Sequence, residues 1–218
     1  MNMKINLELG GVPRGYSFLL DGVELVKLDD DGEGSFVVTA DALPHTVPFC
    51  DDEEAEAPNN YQGSNLHHII EDWAESRPNL YEAMLEREID LTTMDGMTDY
   101  GKPQLYLRSL TVDEYRKYRR FIPLTSRAYW LATGWATLRS PYSDSSNSAY
   151  CVDASGALNY SYVFYAGLYC PRPAFYLKSE IVVSMIVPTA EVIESEKGLE
   201  NYTDAELIRE LWNRAGRE

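Results

Sequence analysis

The sequence predicts an α+β fold, in which antiparallel strands and helices occupy different stretches of the chain. Residues 4–28 alternate loosely between apolar and polar side chains, and turn residues such as Asp21-Gly22 interrupt them, which is typical of short hairpin strands. Apolar residues at helical spacing begin only after residue 63. Strands joined by tight turns, with helices in other stretches, are typical of α+β domains.

Strands are expected before residue 40 at residues 5–9, 16–20, 23–28 and 35–39. The run Asp29-Asp30-Asp31-Gly32 separates the last two of them. It lacks the alternating ligands and the closing Glu of an EF-hand calcium loop. We therefore expect a solvated turn at this run.

Residues 50–63 are acidic and poor in apolar side chains, which indicates a loop. Ser64 can cap a helix that runs to about residue 76, and a second helix is expected to begin near Pro78. His67 and His68 lie on the first of these helices. Because neighbouring residues on a helix point about 100° apart, they cannot easily bind one metal ion, and we expect both at partly exposed positions.

Residues 104–110 are expected to form one buried strand, and residues 112–120 a third helix with Tyr115 and Tyr118 on a shared face. Residues 174–187 are expected to form one apolar strand that closes the sheet. The third helix carries a basic cluster, expected as a solvated helix face; pairing with the acidic loop and binding of an anion are the alternatives. The cluster consists of Arg116, Lys117, Arg119 and Arg120.

The segment from Tyr142 to Cys170, the Tyr-rich segment, has an unusual composition. Its 29 residues include 6 Tyr, 6 Ser and 2 Asn, and its only charged residues are Asp144 and Asp153. A stretch of average composition would carry roughly seven charged residues. Tyr supplies rigid amphipathic contact area, and Ser and Asn supply adaptable hydrogen bonds, as in antibody paratopes. The composition indicates a recognition surface; a Tyr-rich sheet surface without a binding role is the equally weighted alternative.

The net charge of −16 and the pI near 4.5 argue against partners that need basic patches, namely nucleic acids and anionic membranes. No apolar run approaches the about 20 residues of a membrane span. The N-terminus also lacks the apolar region of a signal peptide. We expect a protein that is made in the cytoplasm without a signal peptide and does not insert into membranes.

Cys50, Cys151 and Cys170 are an odd number of cysteines without the spacing of metal ligands. Cys151 and Cys170 could face each other across a hairpin. Buried reduced thiols are nevertheless expected for a protein made in the cytoplasm. No metal ion or other cofactor is expected.

Several motifs, taken in their order along the chain, carry a resemblance to a known family. They are YQGSNL at 61–66, QLYLRSL at 104–110, YWLAT at 129–133, VDASG at 152–156 and RPAFYL at 172–177. Over roughly residues 15–185 the chain resembles a large family of phage and gut-bacterial domains. It departs from the family pattern at residues 168–171, LYCP, where the family has a shorter Gly-Val before Arg-Pro.

The resemblance implies the C-type-lectin-like fold shared with formylglycine-generating enzymes and with the variable proteins of diversity-generating retroelements. That fold has small twisted antiparallel sheets, two or three flanking helices and long irregular segments. The implied organisation is a single domain at 1–187, with a variable region at 130–170, and a C-terminal extension at 188–218. The variable proteins exclude Lys, Glu, Gln, Met and Trp where they diversify, and the Tyr-rich segment lacks all of these.

Composition and resemblance together predict a phage-encoded, ligand-binding protein for receptor recognition that is not an enzyme. Its place would be the virion or otherwise the cytoplasm, and its partner a bacterial surface protein or glycan. The expected contact residues lie on one exposed face. They are Tyr142, Asp144, Asn147, Tyr150, Asn159, Tyr160, Tyr162, Phe164, Tyr165 and Tyr169.

Two other functions are kept as alternatives. A virion decoration or assembly protein would depend on the C-terminal extension, where Thr203-Asp204-Ala205-Glu206 is a capping box that starts an amphipathic helix. That helix would mediate homo-oligomer formation or attachment to a virion. A formylglycine-generating-type oxidase would need a reactive cysteine pair; Cys151 and Cys170 are the candidates, and no general base or metal set accompanies them.

Overall fold

The structure, a computed structural model, describes residues 3–187. Its helices are α1 (Asn65–Glu75), α2 (Pro78–Glu82) and α3 (Val112–Tyr118), with 3-10 turns at Leu9–Gly11 and Ser143–Ser145. Its strands are β1 (Met3–Glu8), β2 (Ser17–Leu20), β3 (Val23–Asp30), β4 (Gly34–Thr39), β5 (Met84–Leu85), β6 (Arg87–Glu88), β7 (Gln104–Leu105), β8 (Leu107–Arg108), β9 (Tyr129–Gly134), β10 (Ser148–Val152), β11 (Leu158–Tyr162), β12 (Ala174–Lys178) and β13 (Val182–Val187). The C-terminal helix expected from Thr203 lies outside the described residues.

The strands pair mostly antiparallel and the helices are few, which is the predicted α+β arrangement. The largest sheet has eight strands in the order β1-β13-β2-β3-β4-β12-β5, and β8 also pairs with β12. A second sheet has the order β11-β10-β9, and β6 pairs with β7. The expectation of small sheets alone is wrong, because β1 and β13, from opposite ends of the described chain, pair within one large sheet.

The expected strand at residues 104–110 is wrong, because the chain changes sheets within it. β7 pairs with β6, whereas β8 pairs with β12 in the large sheet. Tyr106 stands between them and is exposed. A segment that pairs in one sheet and then in another cannot form one continuous strand, although its apolar residues recur along residues 104–110.

The expected single strand at residues 174–187 is also two strands. β12 pairs with β4, and β13 pairs with β1 and β2 elsewhere in the same sheet. The chain turns between them, where the carbonyls of Ser179 and Ile181 accept hydrogen bonds from the N–H groups of Gly10 and Leu9 at 2.8 and 2.9 Å. This turn lets one apolar run supply two separate positions in the sheet.

The Asp run is only partly a turn, because Asp29 and Asp30 belong to β3. The turn itself centres on Asp31, whose carboxylate accepts hydrogen bonds from the N–H groups of Glu33 and Gly34 at 2.9 and 2.6 Å. Such bonds from a side chain to the following backbone are typical of Asp-initiated turns. The run therefore closes the β3–β4 hairpin.

The predicted helix starts are confirmed by their caps. The Ser64 hydroxyl accepts the N–H of His67 at the start of α1, at 3.2 Å. Thr111 and Glu114 form a reciprocal capping box at the start of α3. α3 ends at Tyr118 rather than at residue 120, and Tyr115 and Tyr118 are both buried, on the shared face that their spacing predicts.

Strand β9 lies between two hydrophobic clusters and is buried along its whole length. Trp130 and Ala132 pack into one cluster, and Tyr129 and Leu131 into the other. Successive strand residues point to opposite faces of a sheet, so the YWLAT motif serves both clusters at once. The three-stranded sheet that carries the Tyr-rich segment is thereby held from both sides.

Arg172, in the RPAFYL motif, fixes the end of the Tyr-rich segment to the scaffold. Its guanidinium is buried and donates hydrogen bonds to the carbonyls of Thr39, Ala40 and Pro123 at 3.0 to 3.3 Å. It also lies over the Tyr129 ring, 4.7 Å from the ring centroid. Burial lowers the pKa of Arg172, and the Tyr129 side chain opposes that shift. The motif is therefore structural in this chain.

Candidate functional site

The Tyr-rich segment forms a hairpin, β10–β11, with irregular segments before and after it. Ser148 pairs with Tyr162, Tyr150 with Tyr160 and Val152 with Leu158. The VDASG motif at residues 152–156 forms the hairpin turn. In this turn, the Asp153 carboxylate accepts hydrogen bonds from the N–H groups of Ser155 and Ala157 at 2.8 and 2.9 Å.

Gly156 closes this turn with a φ of +79°, a conformation that residues with a Cβ rarely adopt. Its carbonyl accepts a hydrogen bond from the Tyr115 hydroxyl of α3 at 2.7 Å. α3 therefore holds the hairpin turn in place, and the position of β11 depends on that of the capped helix.

Asn59 supports the other end of the hairpin from within the acidic loop. It is fully buried, and its amide donates hydrogen bonds to the carbonyls of Ala136 and Ser148, each at 2.9 Å. Its side-chain oxygen accepts the Tyr100 hydroxyl. Asn59 thus joins the start of β10 to the segment after β9, and the loop has a structural role that its acidic composition does not indicate.

Trp135, just after β9, and three tyrosines form an aromatic cluster. The ring centroid of Trp135 lies 5.5 Å from that of Tyr142 and 6.3 Å from that of Tyr160. Tyr160 in turn lies 6.1 Å from Tyr150, its partner across the β10–β11 ladder. Edge-to-face and tilted contacts of this kind hold aromatic rings at defined angles, so the cluster presents ordered rings.

A second aromatic group follows directly on the chain. The Tyr162 ring makes edge contacts with Phe164 and Tyr165, at centroid distances of 5.0 and 5.8 Å. Tyr162 and Tyr160 stand two residues apart on β11 and so point to the same face of the sheet. The two groups therefore form one surface, which we call the aromatic patch: Trp135, Tyr142, Tyr150, Tyr160, Tyr162, Phe164 and Tyr165.

Most of the aromatic patch is open to solvent. Tyr142, Tyr160, Tyr162 and Tyr165 are 59%, 56%, 43% and 53% exposed. Among the other expected contact residues, Asp144 and Asn159 are exposed, and Asn147 and Phe164 are half-buried. Large aromatic side chains are usually much more buried than this in a folded domain, so the exposure of neighbouring rings sets this surface apart.

The ten expected contact residues do not all share one exposed face. Tyr150 is only 9% exposed, because β10 is the central strand and its ring packs in the cluster with Tyr129 and Leu131. Tyr169 is half-buried against Trp130, with ring centroids 4.3 Å apart. Asn159 alternates with Tyr160 on β11 and so points to the opposite face.

Two features of this region were missed by the sequence reasoning. One is Trp135 at the centre of the patch, and its position directly after YWLAT is the signal that could have indicated it. The other is a groove of about 560 Å³ between residues 88–96 and the start of α3. It adjoins the patch, since the N–H groups of Met94 and Asp95 bond to the carbonyls of Gly134 and Trp135 at 3.1 and 3.3 Å.

The groove is polar and mostly acidic. Its charged lining residues are Glu88, Asp90, Asp113, Glu114 and Arg116. Hydrogen bonds from Lys102 and Thr92 lower the pKa of Asp90 to about 2. Asp90 is therefore ionised at neutral pH, and the acidic lining suits a polar or cationic group.

The loop that forms one wall of the groove is tied to the patch through Asp95. Its carboxylate accepts hydrogen bonds from Ser140 and Thr93. Burial alone would raise the pKa of Asp95, but these hydrogen bonds outweigh burial and lower it. The Ser140 hydroxyl also accepts the N–H of Tyr142 at 2.9 Å, which fixes the backbone beneath one exposed ring.

The three cysteines are buried free thiols. Cys151 lies opposite Asn159 on one side and Trp130 on the other, so it does not face Cys170 across a hairpin. Burial raises the pKa of Cys151 to about 11, and it raises the pKa of Cys170 as well. A reactive cysteine needs a lowered pKa and access to solvent, and neither thiol has them.

The expectation for the histidines is partly wrong, whereas the basic cluster is exposed as expected. His68 is exposed, but His67 is buried beside the Tyr61 ring, because α1 packs that side onto the core. Lys117 pairs with Asp29 of β3 at 3.3 Å, not with the acidic loop, and Arg116 pairs with Asp113 at 3.5 Å. The cluster otherwise lies on exposed positions.

Residues 3–187 contain no group of three or more His, Cys, Asp or Glu side chains that could hold a metal ion. None of the helices in this part of the chain has the length and apolar character needed to cross a bilayer. Comparisons of the chain with protein-family models, with curated proteins and with solved structures found no match.

Proposed function

We propose that this protein recognises a receptor through the aromatic patch, with a bacterial surface protein or glycan as the ligand. The observation that carries the proposal is the clustering of Tyr142, Tyr160, Tyr162 and Tyr165, all 43% exposed or more, on neighbouring segments. Rigid aromatic rings at the centre of a contact surface supply most of the binding energy in many interfaces. Ser and Asn side chains between the rings add hydrogen bonds.

The buried support of this surface favours recognition over a decorative role. The hydrogen bonds of Asn59, Tyr115 and Arg172 hold the segments that carry the rings. A surface that is rigid before binding loses less conformational entropy when the ligand arrives. The rings are therefore preorganised for contact.

A C-type-lectin-like scaffold that is phage-encoded, virion-associated and diversified by a retroelement is part of the same proposal. It rests on the order of the motifs and on the residue types missing from the Tyr-rich segment. The buried, high-pKa thiols of Cys151 and Cys170 do not favour the oxidase alternative. The decoration alternative depends on the C-terminal extension, which lies outside the described residues.

The test of binding uses the labelled protein on an array of bacterial glycans and on a panel of intact bacterial cells. Tyr160→Ala together with Tyr162→Ala removes two rings of the patch, and we expect binding to fall at least about tenfold, since central aromatic residues are typical hot spots. The matched control is Tyr81→Ala together with Tyr106→Ala, which removes a second pair of exposed, touching tyrosines away from the patch. Equal losses in both double variants would refute the assignment of the patch.

Diversification is tested separately, by sequencing this gene and its flanks across a natural population. We expect substitutions to concentrate in codons 130–170, at positions where a nearby near-repeat has adenines. Trp130 and Arg172 bound the region and are buried in the scaffold, so codon 172 serves as an internal control for constancy. An invariant stretch without a template repeat would remove the retroelement from the proposal and leave a fixed binder.

A further inference from the structure

Strand β11 is an open sheet edge within the described residues. It has β10 as its one neighbour in the order β11-β10-β9. Its sequence, LNYSY, contains no charged residue and no proline. Natural proteins usually protect such edges with charged side chains, prolines or bulges, because an open edge pairs readily with another strand. β11 has none of these protections.

The hydrogen bonds at the two ends of the hairpin show which backbone groups face outward. The N–H of Val163 bonds to the carbonyl of Asn147, and the N–H of Asp153 to the carbonyl of Ala157, each at 3.0 Å. Bonded and non-bonded pairs alternate along an antiparallel ladder. Residues 159 and 161 therefore bond to β10, and the backbone groups of residues 158, 160 and 162 point to the open edge.

Two of these outward groups are capped locally. The N–H of Tyr160 donates to the side-chain oxygen of Asn159 at 2.9 Å, and the carbonyl of Tyr162 accepts the N–H of Tyr165 at 3.2 Å. The outward groups without such a cap in the described residues are both groups of Leu158, the carbonyl of Tyr160 and the N–H of Tyr162. They are spaced for an incoming extended strand.

The surroundings indicate the charge of the incoming strand. The only charged residues of the Tyr-rich segment are Asp144 and Asp153, and the Arg119 guanidinium lies close to Gly156 in the hairpin turn. The excess of negative charge belongs to the chain as a whole, which carries a net charge of −16 and so attracts basic partners. A second copy of this chain would bring the same negative charge to the edge. A basic segment of another protein complements this charge, and the rings of Tyr160 and Tyr162 lie beside the edge to receive its side chains.

We propose that the open edge of β11 binds an extended, basic segment of a partner protein, which adds a fourth strand to the β11-β10-β9 sheet. The inference rests on the proposed recognition function and makes its ligand a polypeptide rather than a glycan. Backbone hydrogen bonds supply affinity in this mode, and side-chain contacts supply selectivity. The Tyr rings provide those contacts here.

The test starts from peptides of random sequence displayed on phage and selected on the immobilised full chain. The selected peptide is synthesised, and its dissociation constant is measured with the wild type, Leu158→Pro and Leu158→Ala. Leu158 is the first residue of β11 and its N–H points outward, a position where an edge strand tolerates proline. We expect Leu158→Pro to weaken binding about tenfold relative to Leu158→Ala, because it removes one backbone donor.

Amide exchange measured by NMR provides a second readout that does not depend on a substitution. Peptide binding should slow exchange at Leu158 and Tyr162, whose N–H groups point outward. Asn159 and Ser161 already bond to β10 and should change little, so they serve as internal controls. Binding should also weaken when NaCl rises from about 0.05 to about 0.5 M, as screening of a basic peptide requires.

Three outcomes would overturn the inference. The first is that no peptide is selected, or that the selected peptide binds Leu158→Pro and Leu158→Ala with equal affinity and leaves amide exchange at Tyr162 unchanged. The second is that the wild type self-associates through the edge and Leu158→Pro makes it monomeric, which assigns the edge to a second copy. The third is that deletion of residues 188–218 alone exposes the edge, which assigns it to the C-terminal extension. If Tyr160→Ala with Tyr162→Ala still abolishes ligand binding, the proposed function survives each of them.

Discussion

Asn59 shows how one buried residue can determine the shape of a surface to which it does not belong. It bonds to the carbonyls of Ala136 and Ser148, on the two segments that flank Trp135 and Tyr150. Gly134 lies so close to Asn59 that a Cβ at residue 134 would be 2.9 Å from the Asn59 side-chain nitrogen and 2.9 Å from the Asn59 backbone carbonyl oxygen. The absence of a side chain at residue 134 is therefore required by packing.

Gly134→Ala should destabilise the protein by about 1–3 kcal/mol, the usual cost of overpacking a tight site. The added methyl group pushes Asn59 away from its two carbonyl partners. Urea denaturation measures the loss. Gly167→Ala is the control, because its Cβ would have nothing within 4 Å and its φ is not in the left-handed region. Equal stability of the two variants would contradict this packing role.

His67 makes stability depend on pH. Burial lowers its pKa from the ordinary 6.5; His68 acts in the same direction and Glu71 opposes it. The unfolded chain therefore binds a proton at a higher pH than the folded chain does. The free energy of unfolding has its full value above pH about 6.5 and falls as the pH drops from there toward the lower folded-state pKa.

His67→Gln should remove this part of the pH dependence between about pH 7 and about pH 5. The measurement is urea denaturation at several pH values in that range. His45→Gln is the control for the loss of an exposed histidine. A slope unchanged by His67→Gln would assign the pH dependence to other groups.

At the scale of elements, α3 connects its own capping to the position of the hairpin. Thr111 accepts the N–H of Glu114 at 3.2 Å, and the Glu114 carboxylate accepts the N–H of Thr111 at 2.9 Å. Arg108 holds the same carboxylate with two hydrogen bonds at 2.6 and 2.7 Å. The helix so fixed carries Tyr115, whose hydroxyl bonds to the Gly156 carbonyl in the hairpin turn.

Thr111→Ala should cost about 1 kcal/mol of stability, the typical cost of losing a helix N-cap. Thr111→Ser keeps the capping hydroxyl and should retain most of the stability. Thermal unfolding compares the two variants with the wild type. If Thr111→Ser is as destabilised as Thr111→Ala, the methyl group rather than the cap is what matters at this position.

The elements that could be predicted are those whose pattern is local. Ser64 and Thr111 each start a helix because a hydroxyl cap and the residues after it are adjacent in sequence. The prediction of one strand at residues 104–110 is wrong because the break at Tyr106 depends on the two partner strands, β6 and β12. No local pattern carries that information. The same holds for the turn that divides β12 from β13.

The candidate site was predictable in composition and not in detail. The Tyr-rich segment stands out because its residue types are visible without a fold. Which Tyr is exposed depends on strand order: Tyr150 and Tyr160 face each other, but β10 is central and β11 lies at the edge. Tyr150 is therefore buried and Tyr160 exposed. Trp135 escaped prediction because its ring neighbours, Tyr142 and Tyr160, come from other segments of the chain. The groove escaped prediction because its walls come from residues 88–96 and from α3.

At the scale of the whole molecule, the hydrophobic clusters and the aromatic patch differ in exposure. The clusters on both sides of β9 contain the large buried side chains such as Trp130, whereas the patch displays exposed tyrosines with few charges. This division lets the surface change without loss of the fold, because exposed substitutions usually alter stability by less than about 0.5 kcal/mol. The diversification proposed above requires a surface of this kind.

The most direct measurement is the footprint of a bound ligand on the full chain by hydrogen–deuterium exchange, once a binding cell-surface molecule or peptide is in hand. Protection is expected in residues 141–147 and 158–168, which carry the exposed rings and the open edge. Exchange in residues 78–85 should stay unchanged and serves as the internal reference. Protection confined to residues 88–96 and 111–116, the walls of the acidic groove, would contradict recognition through the aromatic patch.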